Sequence, residues 1–581
     1  MEKDSIQGRI LDHLTALYGK DTALATWVRL KEILVTYPVI QTGPSPLETL
    51  KNLDAVLITY ADQFQVKGQP HFTSLSNFIG KHLKNQISAV HLLPFFPYSS
   101  DDGFSVIDYK EVNSEMGTWE DLQDLRECCN LMFDAVINHI SRESDWFQKY
   151  LQDLEPYKEY FIEVDPELDL SQVTRPRARP LLATVETASG QAHVWTTFSP
   201  DQIDLNYANP DVLLEILAVL LFYIQQGARI IRLDAIAYLW KEIGTSCIHL
   251  PQTHRVIKLI RAVLDLVSPD VILITETNVP HKENISYFGQ QLNGSDKTYP
   301  QGDEAQMVYQ FPLAPLVLHT FRTGDTTALT SWAASLEVPI RSAAFLNFIA
   351  SHDGIGVRPA EGLLTSEEIQ GLVDQTLANG GQVSYKTNPD GSQSVYELNI
   401  TLFDMLNEPE STPLEIGVQR FIASQAIMLS LSGVPGIYIH SLFGAPNSHR
   451  EVEKTGRARS INREKYQVSN LEKELADPST RISKVFTSYT HYLSIRKQHP
   501  AFNPLAPQQV LDVGNQVFAL LRTAEGQGEK ILCLINITKT EAELEVDPTT
   551  LDSSIWSDLI TGMDFQPGKI KLKPFQVLWL R

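Results

Sequence analysis

Between residues 54 and 353 one unit of construction recurs: a short apolar run that ends in a charged or polar side chain, followed by a longer amphipathic stretch. The runs DAVLITYAD, ISAVHLLPFFP, LMFDAVINH, ARIIRLDA, VILITETN and AAFLNFIASHD alternate with helical segments such as TWEDLQDLRECCN and THRVIKLIRAVLDLV. Strands that are apolar through their whole body and alternate with helices predict a parallel sheet covered on both faces. The runs end in Asp62, His139, Asp234, Glu276 and the pair His352 and Asp353. Taken singly, each reads equally well as a turn residue or a helix cap. Together they fall where parallel sheets place their sites, at the carboxyl ends of the strands.

The repeat sets the expected organisation. Residues 1–52 read as an N-terminal helical extension of two amphipathic helices: the first spaces Ile6, Ile10, Leu14 and Leu17, the second contains Trp27, Leu30, Ile33 and Leu34, and PVIQTGPSPL follows as a linker. Residues 53–139, 208–353 and 411–500 carry the strand and helix alternation. The segments 140–207 and 354–410 interrupt it with TRPRARPLL, HVWTTFSP and NGGQVSYKTNPDGSQS, insertions long enough to form lids or subsites. Residues 501–581 change to alternating strands around a glycine turn, which predicts a small antiparallel β domain.

A formal net charge of −22 disfavours a nucleic-acid or anionic membrane partner, so an anionic substrate needs a local cationic cluster. The cysteines Cys128, Cys129, Cys247 and Cys533 are too few and too irregular for a disulfide framework, as suits a cytoplasmic chain. The start lacks the layout of a signal peptide, and the apolar run Val212 to Ile224 is broken by Glu215 and too short to span a bilayer, so it reads as a buried helix.

Two strand-end acids suggest a reaction. Cleaving a glycosidic bond with retention takes one carboxylate to attack the anomeric carbon and one carboxylic acid to protonate the leaving oxygen, about 5 Å apart. In RLDA, Arg232 precedes Asp234 by two positions, so both side chains point to one face, where the cation can hold the carboxylate ionised. Glu276 follows the apolar VILIT, where desolvation favours the neutral acid.

DAVINH (134–139), GARIIRLDA (227–235), ITETN (274–278) and NFIASHD (347–353) resemble the four conserved segments of the α-amylase superfamily, in order. HLLPFFPYSSDDGFSVIDY (91–109), TRPR (174–177), HDGIG (352–356), GVPGIYI (433–439) and TGRARSINR (455–463) resemble sucrose phosphorylase and its relatives within it. The resemblance implies a (β/α)8 TIM barrel with inserted loop domains and the C-terminal antiparallel β domain. It implies Asp234 as nucleophile, Glu276 as acid/base and Asp353 as transition-state stabiliser. Asp101, His139, Arg232, His352 and Arg459 would clamp the glucosyl hydroxyls, Phe104 and Phe198 would wall the ring, and Gln202 and Tyr238 would line the same subsite.

In this group the co-substrate is inorganic phosphate, which arginine forks match bidentately; the resemblance places Arg177, Arg459 and Tyr396 there. Sucrose phosphorylases carry a histidine where this chain has Asn278 and a glutamine where it has Glu397. ITETNVPHKENISYFG, MVYQF, KEIGTSCIHL and YELNIT resemble instead the glucosylglycerate phosphorylases of the same group. Glycerate carries a carboxylate, for which Lys386, His281, Lys282, Arg450 and Arg457 are the candidate cations. The Asn-Pro-Asp-Gly loop after Lys386 is expected to move between two poses. The alternatives are a sucrose phosphorylase or an α-glucosidase with the same catalytic trio, and a non-catalytic amylase-fold protein, which would be expected to lose one of the three acids. Asn138 and His139 resemble calcium-binding positions of many amylases, but no acidic cluster accompanies them, so no metal and no organic cofactor are expected. The expected partners are a small glucoside and phosphate, with the chain a monomer or a homodimer.

Overall fold

The computed structural model describes residues 5–38, 45–177, 179–292, 301–387, 392–409, 411–526 and 528–581. Eight parallel strands close into a barrel: β1 (Val56–Thr59), β2 (Ala89–Leu92), β3 (Asn130–Ala135), β4 (Ala228–Leu233), β5 (Ile272–Thr275), β6 (Met307–Gln310), β7 (Ala344–Asn347) and β8 (Val434–Tyr438). Each strand pairs with its neighbours in chain order, and β8 pairs back onto β1 with Val56 opposite Gly436. The interior is filled by Val56, Ala89, Met132, Ile230, Ile272, Met307, Ala344 and Val434, one from each strand, together with Ile274, Tyr309 and Leu346 from β5, β6 and β7, and Leu50 and Leu53 pack into the same cluster. This plug leaves the carboxyl ends of the strands as the place for a site.

Two strands escape the apolar-run pattern. β6 reads Met-Val-Tyr-Gln with a polar end, and β8 carries Pro435 and Gly436, residues that weaken a strand in isolation. Tertiary pairing overrides that preference: Pro435 lies opposite Asn347 in β7, and Asn347 Nδ2 donates to Ser432 O at 2.8 Å.

The run read as a buried helix is the helix Pro210–Gln225, capped by Asn209, whose side chain accepts from Asp211 N. The first two helices, Ile6–Tyr18 and Lys20–Thr36, pack on the barrel helices Pro251–Val267 and Pro210–Gln225, burying Ile10, Leu14, Trp27 and Leu30. Arg9 fastens this layer to Asp265 at 2.8 Å. A third short helix, Pro46–Lys51, follows under a capping box of Ser45 and Glu48; the linker before it lies largely outside the described residues.

Between β3 and β4 the chain forms two small antiparallel pairs, His139–Ser141 with Gln202–Asp204 and Leu182–Thr187 with Gly190–Trp195. After β7 it forms a three-stranded sheet, Ile355–Gly356, Gln393–Asn399 and Gln382–Thr387, and the helix Ser366–Ala378. The C-terminal region holds a four-stranded antiparallel sheet of Gln508–Leu511, Val517–Thr523, Lys530–Asn536 and Val577–Leu580. No described helix is long and apolar enough to cross a membrane.

Candidate active site

The barrel register brings Asp134 of β3 directly opposite Arg232 of β4, and Ile274 of β5 opposite Arg232 on its other side. Arg232 and Asp134 form a fully buried ion pair. His91 Nε2 of β2 lies 2.8 Å from Asp134 Oδ2. With one edge of its guanidinium held this way, Arg232 Nη1 donates to Asp234 Oδ1 at 2.7 Å, and Nη2 lies 4.0 Å from Glu276 Oε2. One cation thus stands beside both strand-end acids. Asp134 is absent from the sequence-based site; its signal was a charged residue in the middle of the otherwise apolar LMFDAV.

The turn after β4 serves the second acid. Ala235 adopts φ 49°, ψ 30°, a left-handed conformation that costs a residue with a Cβ about 1–2 kcal/mol. In that pose its N–H donates to Glu276 Oε2 at 3.2 Å. Burial, and then the Asp234 and Asp353 charges against the pull of Arg232, push the Glu276 carboxyl up to about 7. Burial also raises Asp234, with Arg232 and His139 opposing. The arginine beside Asp234 therefore acts as expected in direction, while desolvation outweighs it.

Asp353 completes the set. Burial pushes its carboxyl up, but the Arg459 guanidinium, with Arg463 and Arg232, outweighs this and holds it well below the usual carboxylate range. Arg459 Nη1 lies 2.5 Å from Asp353 Oδ1, and Asn462 Nδ2 donates to the Asp353 carbonyl at 3.1 Å. His352 is driven by burial to about 3 and so stays neutral; its ring stacks on Phe104 with centroids 5.0 Å apart and an interplanar angle of 4°.

The catalytic cavity is lined by Asp101, Phe104, His139, Arg177, Phe198, Gln202, Arg232, Asp234, Glu276, Asn278, His352, Asp353, Tyr396, Glu397 and Arg459, together with Phe311, Phe348 and the Ile349 to Gly356 segment. His139 donates through Nε2 to Phe104 O at 2.9 Å, and Gln202 Nε2 donates to the same oxygen at 2.9 Å, fixing the Phe104 wall. Two of the expected residues lie elsewhere. Tyr238 stands one layer back, edge-on to Phe198 at 5.4 Å. Lys386 lies on the hairpin strand Gln382–Thr387, and the Asn-Pro-Asp-Gly loop after it lies outside the described residues.

The acceptor side departs from expectation in its pairing. Glu397, which stands where sucrose phosphorylases carry a glutamine, is buried and grips Arg459 through both oxygens, at 3.0 Å and 2.5 Å. With Asp353 on its third nitrogen, the Arg459 fork is occupied; the less committed fork is that of Arg177, which has one contact to Asp101 at 3.2 Å and lies 5.7 Å over the Phe198 ring. Outside this cavity opens a vestibule of ≈ 450 Å³ that carries Arg177, Arg179, Arg457, Arg459 and Arg463. It is the local cationic patch that a chain of net charge −22 needs to admit an anion.

Of the remaining cation candidates, Arg457 faces that vestibule and pairs with Asp102 at 3.0 Å, His281 packs on Phe345 at 5.7 Å, and Lys282 and Arg450 are exposed; none lines the catalytic cavity. Asp62, the acid after β1, pairs with Lys465 at 2.6 Å and also stays outside it. At the calcium-like position, Asn138 Oδ1 accepts from the Lys241 ammonium at 2.9 Å, and Lys241 lies 2.6 Å from the buried Asp204. The positive charge at that node is a side chain of the protein. Among the described residues no group of three or more His, Cys, Asp or Glu could hold a metal ion.

Residues 81–354 match the family model described as alpha amylase, catalytic domain. The chain is 49% identical over 573 residues to a glucosylglycerate phosphorylase of Allomeiothermus silvanus, covering 98% of each chain. It is 45% identical to a glucosylglycerate phosphorylase of Escherichia coli over 91% of this chain and 92% of that one. Its fold is similar to that of a sucrose 6F-phosphate phosphorylase from Thermoanaerobacter thermosaccharolyticum, with a TM-score of 0.72 and 24% identity over 90% of this chain and 98% of that one.

Proposed function

Since the chain belongs to the glucosylglycerate phosphorylase family of the α-amylase superfamily, we propose that it is a retaining glycoside phosphorylase, acting reversibly on 2-O-α-glucosylglycerate and phosphate to give α-glucose 1-phosphate and glycerate. In the first step the Asp234 carboxylate attacks the anomeric carbon while Glu276 gives its proton to the departing glycerate oxygen. In the second, a phosphate oxygen attacks the same carbon, Asp234 leaves, and the phosphate proton returns to Glu276. Two inversions leave the α configuration intact. Asp353, held anionic by Arg459, faces the sugar and stabilises the positive charge that develops in the transition state.

The observation that carries this reading is the shared guanidinium of Arg232, hydrogen-bonded to Asp234 and 4.0 Å from Glu276. It favours the anion at the nearer acid, while burial and its neighbours hold Glu276 up to about 7, so the two carboxyls take different roles. Phosphate is assigned to the vestibule mouth at Arg177, with Tyr396 beside it, and no metal or organic cofactor enters the reaction. The four cysteines are free thiols, which accords with a cytoplasmic enzyme.

The test is a phosphorolysis panel that scores glucose 1-phosphate against free glucose from glucosylglycerate, glucosylglycerol, sucrose and sucrose phosphate. Glucose 1-phosphate from glucosylglycerate is the expected main product. Free glucose as the main product at saturating phosphate would reject a phosphorylase, and faster turnover of sucrose would reject the acceptor.

A further inference from the structure

Apart from Arg179, which is exposed, each arginine that lines the catalytic cavity and its vestibule is matched with a carboxylate within 4.0 Å: Arg177 with Asp101, Arg232 with Asp234, Arg457 and Arg463 with Asp102, and Arg459 with Glu397. Arg358 breaks the pattern. It is half-buried and opens a short turn, Arg358–Ala360, only five residues after Asp353, yet no described carboxylate lies within ion-pair distance of it. Lys386, half-buried on the neighbouring hairpin, is likewise without one among the described residues.

The local sheet brings these two cations together. Gly356 pairs with Glu397, and Val357 N donates to Tyr396 O at 3.3 Å, so the backbone leading to Arg358 runs along the acceptor wall. On the hairpin, Ser384 and Tyr385 both line the vestibule across a break in register, and Lys386 is the next residue of that strand. The charges register one another there. Burial lowers the Lys386 ammonium and Arg358 lowers it further, with Glu361 opposing; burial raises the Tyr238 phenol and lowers the His249 imidazole, and the Arg358 charge acts downward on both. Two like charges, each half-buried and with no ion-pair partner among the described residues, are stabilised when an anion joins them.

A second observation points to the same ligand. Asn278 follows Glu276 by two positions and lines the catalytic cavity, and its Oδ1 is buried with no hydrogen-bond partner. It also packs on this segment, since a Cβ on Gly356 would come within 2.9 Å of Asn278 Nδ2. A side-chain amide next to the acid/base suits a hydroxyl, and two cations beyond it suit a carboxylate.

We propose that Arg358 and Lys386, with Asn278, form a carboxylate subsite that binds the short hydroxy acid released or accepted by the enzyme. This rests on the transfer chemistry proposed above and names the residues that select its acceptor. The experiment runs the reaction in the synthetic direction, from α-glucose 1-phosphate to D-glycerate or to glycerol, which lacks the carboxylate. In Arg358→Gln, kcat/KM for glycerate is expected to fall at least tenfold more than kcat/KM for glycerol, with part of the loss recovered in Arg358→Lys. Lys386→Glu, on a hairpin outside the barrel core, is expected to produce the same selective loss even if Arg358→Gln does not fold. Equal losses for both acceptors in these variants overturn the subsite alone. Failure of the unaltered enzyme to form glucosylglycerate overturns the proposed function, and the subsite with it.

Discussion

Arg232 touches Asp134 and Asp234 and stands 4.0 Å from Glu276, so a single buried cation balances three carboxyl groups. Burial raises both strand-end acids, and the direct guanidinium bond to Asp234 is what favours the anion there over Glu276. The consequence for pH is definite in sign. Glu276 carries its proton below about 7 and loses it above, so phosphorolysis kcat/KM is expected to decline as pH rises through that value. A pH–rate profile checks this. Glu276→Gln should lower kcat by about 10²–10⁴-fold and abolish the alkaline limb; a variant that kept the limb would assign it to another group.

At the scale of the element, the site depends on turns whose backbone is held out of the ordinary region. In the Ser-Ser-Asp-Asp-Gly-Phe turn after β2, Asp101 and Asp102 take φ of 55° and 51° and Gly103 takes 109°. Aspartate tolerates this conformation better than most residues, and glycine is needed at the third position because a Cβ there would come within 2.6 Å of Pro94 O. The turn aims Asp101 and Phe104 into the cavity while Asp102 faces Arg457 and Arg463. Gly103→Ala is expected to cost about 1–3 kcal/mol and to lower kcat/KM through displaced Asp101 and Phe104. Thermal denaturation and kinetics would show both losses, and full activity with an unchanged Tm would contradict this account of the turn.

Across the whole molecule, the C-terminal sheet is joined to the barrel by polar contacts that are themselves buried. Arg522, fully buried, donates to the carbonyls of Ser430, Asn503 and Ala506 at 2.9, 2.7 and 3.1 Å. Trp579 Nε1 donates to Ser430 Oγ at 3.0 Å. Separating the two units would expose apolar area and strand these groups together, so calorimetry is expected to record one cooperative transition. Arg522→Met should lower its Tm, since each buried carbonyl left unpaired costs about 1–3 kcal/mol, with KM for the glucoside little changed. Two resolved transitions in the unaltered protein would show that the units unfold separately.

The apolar runs and their polar ends, read in order, were enough to predict an α/β chain with Asp234, Glu276 and Asp353 in one place, because burial pattern and strand period are local properties. Six of the eight barrel strands were legible that way; β6 and β8 were not, since their residues take strand form only when neighbours pair with them. Pairing of charge was also beyond the sequence. Asp134 behind Arg232, Glu397 on Arg459 and Lys241 on Asp204 join residues far apart in the chain, and Arg358 stands out only because no described carboxylate pairs with it. Residue types and their spacing decided which chemistry was available. The fold decided which charge neutralises which, because electrostatic energy depends on distances and burial that only the closed barrel sets.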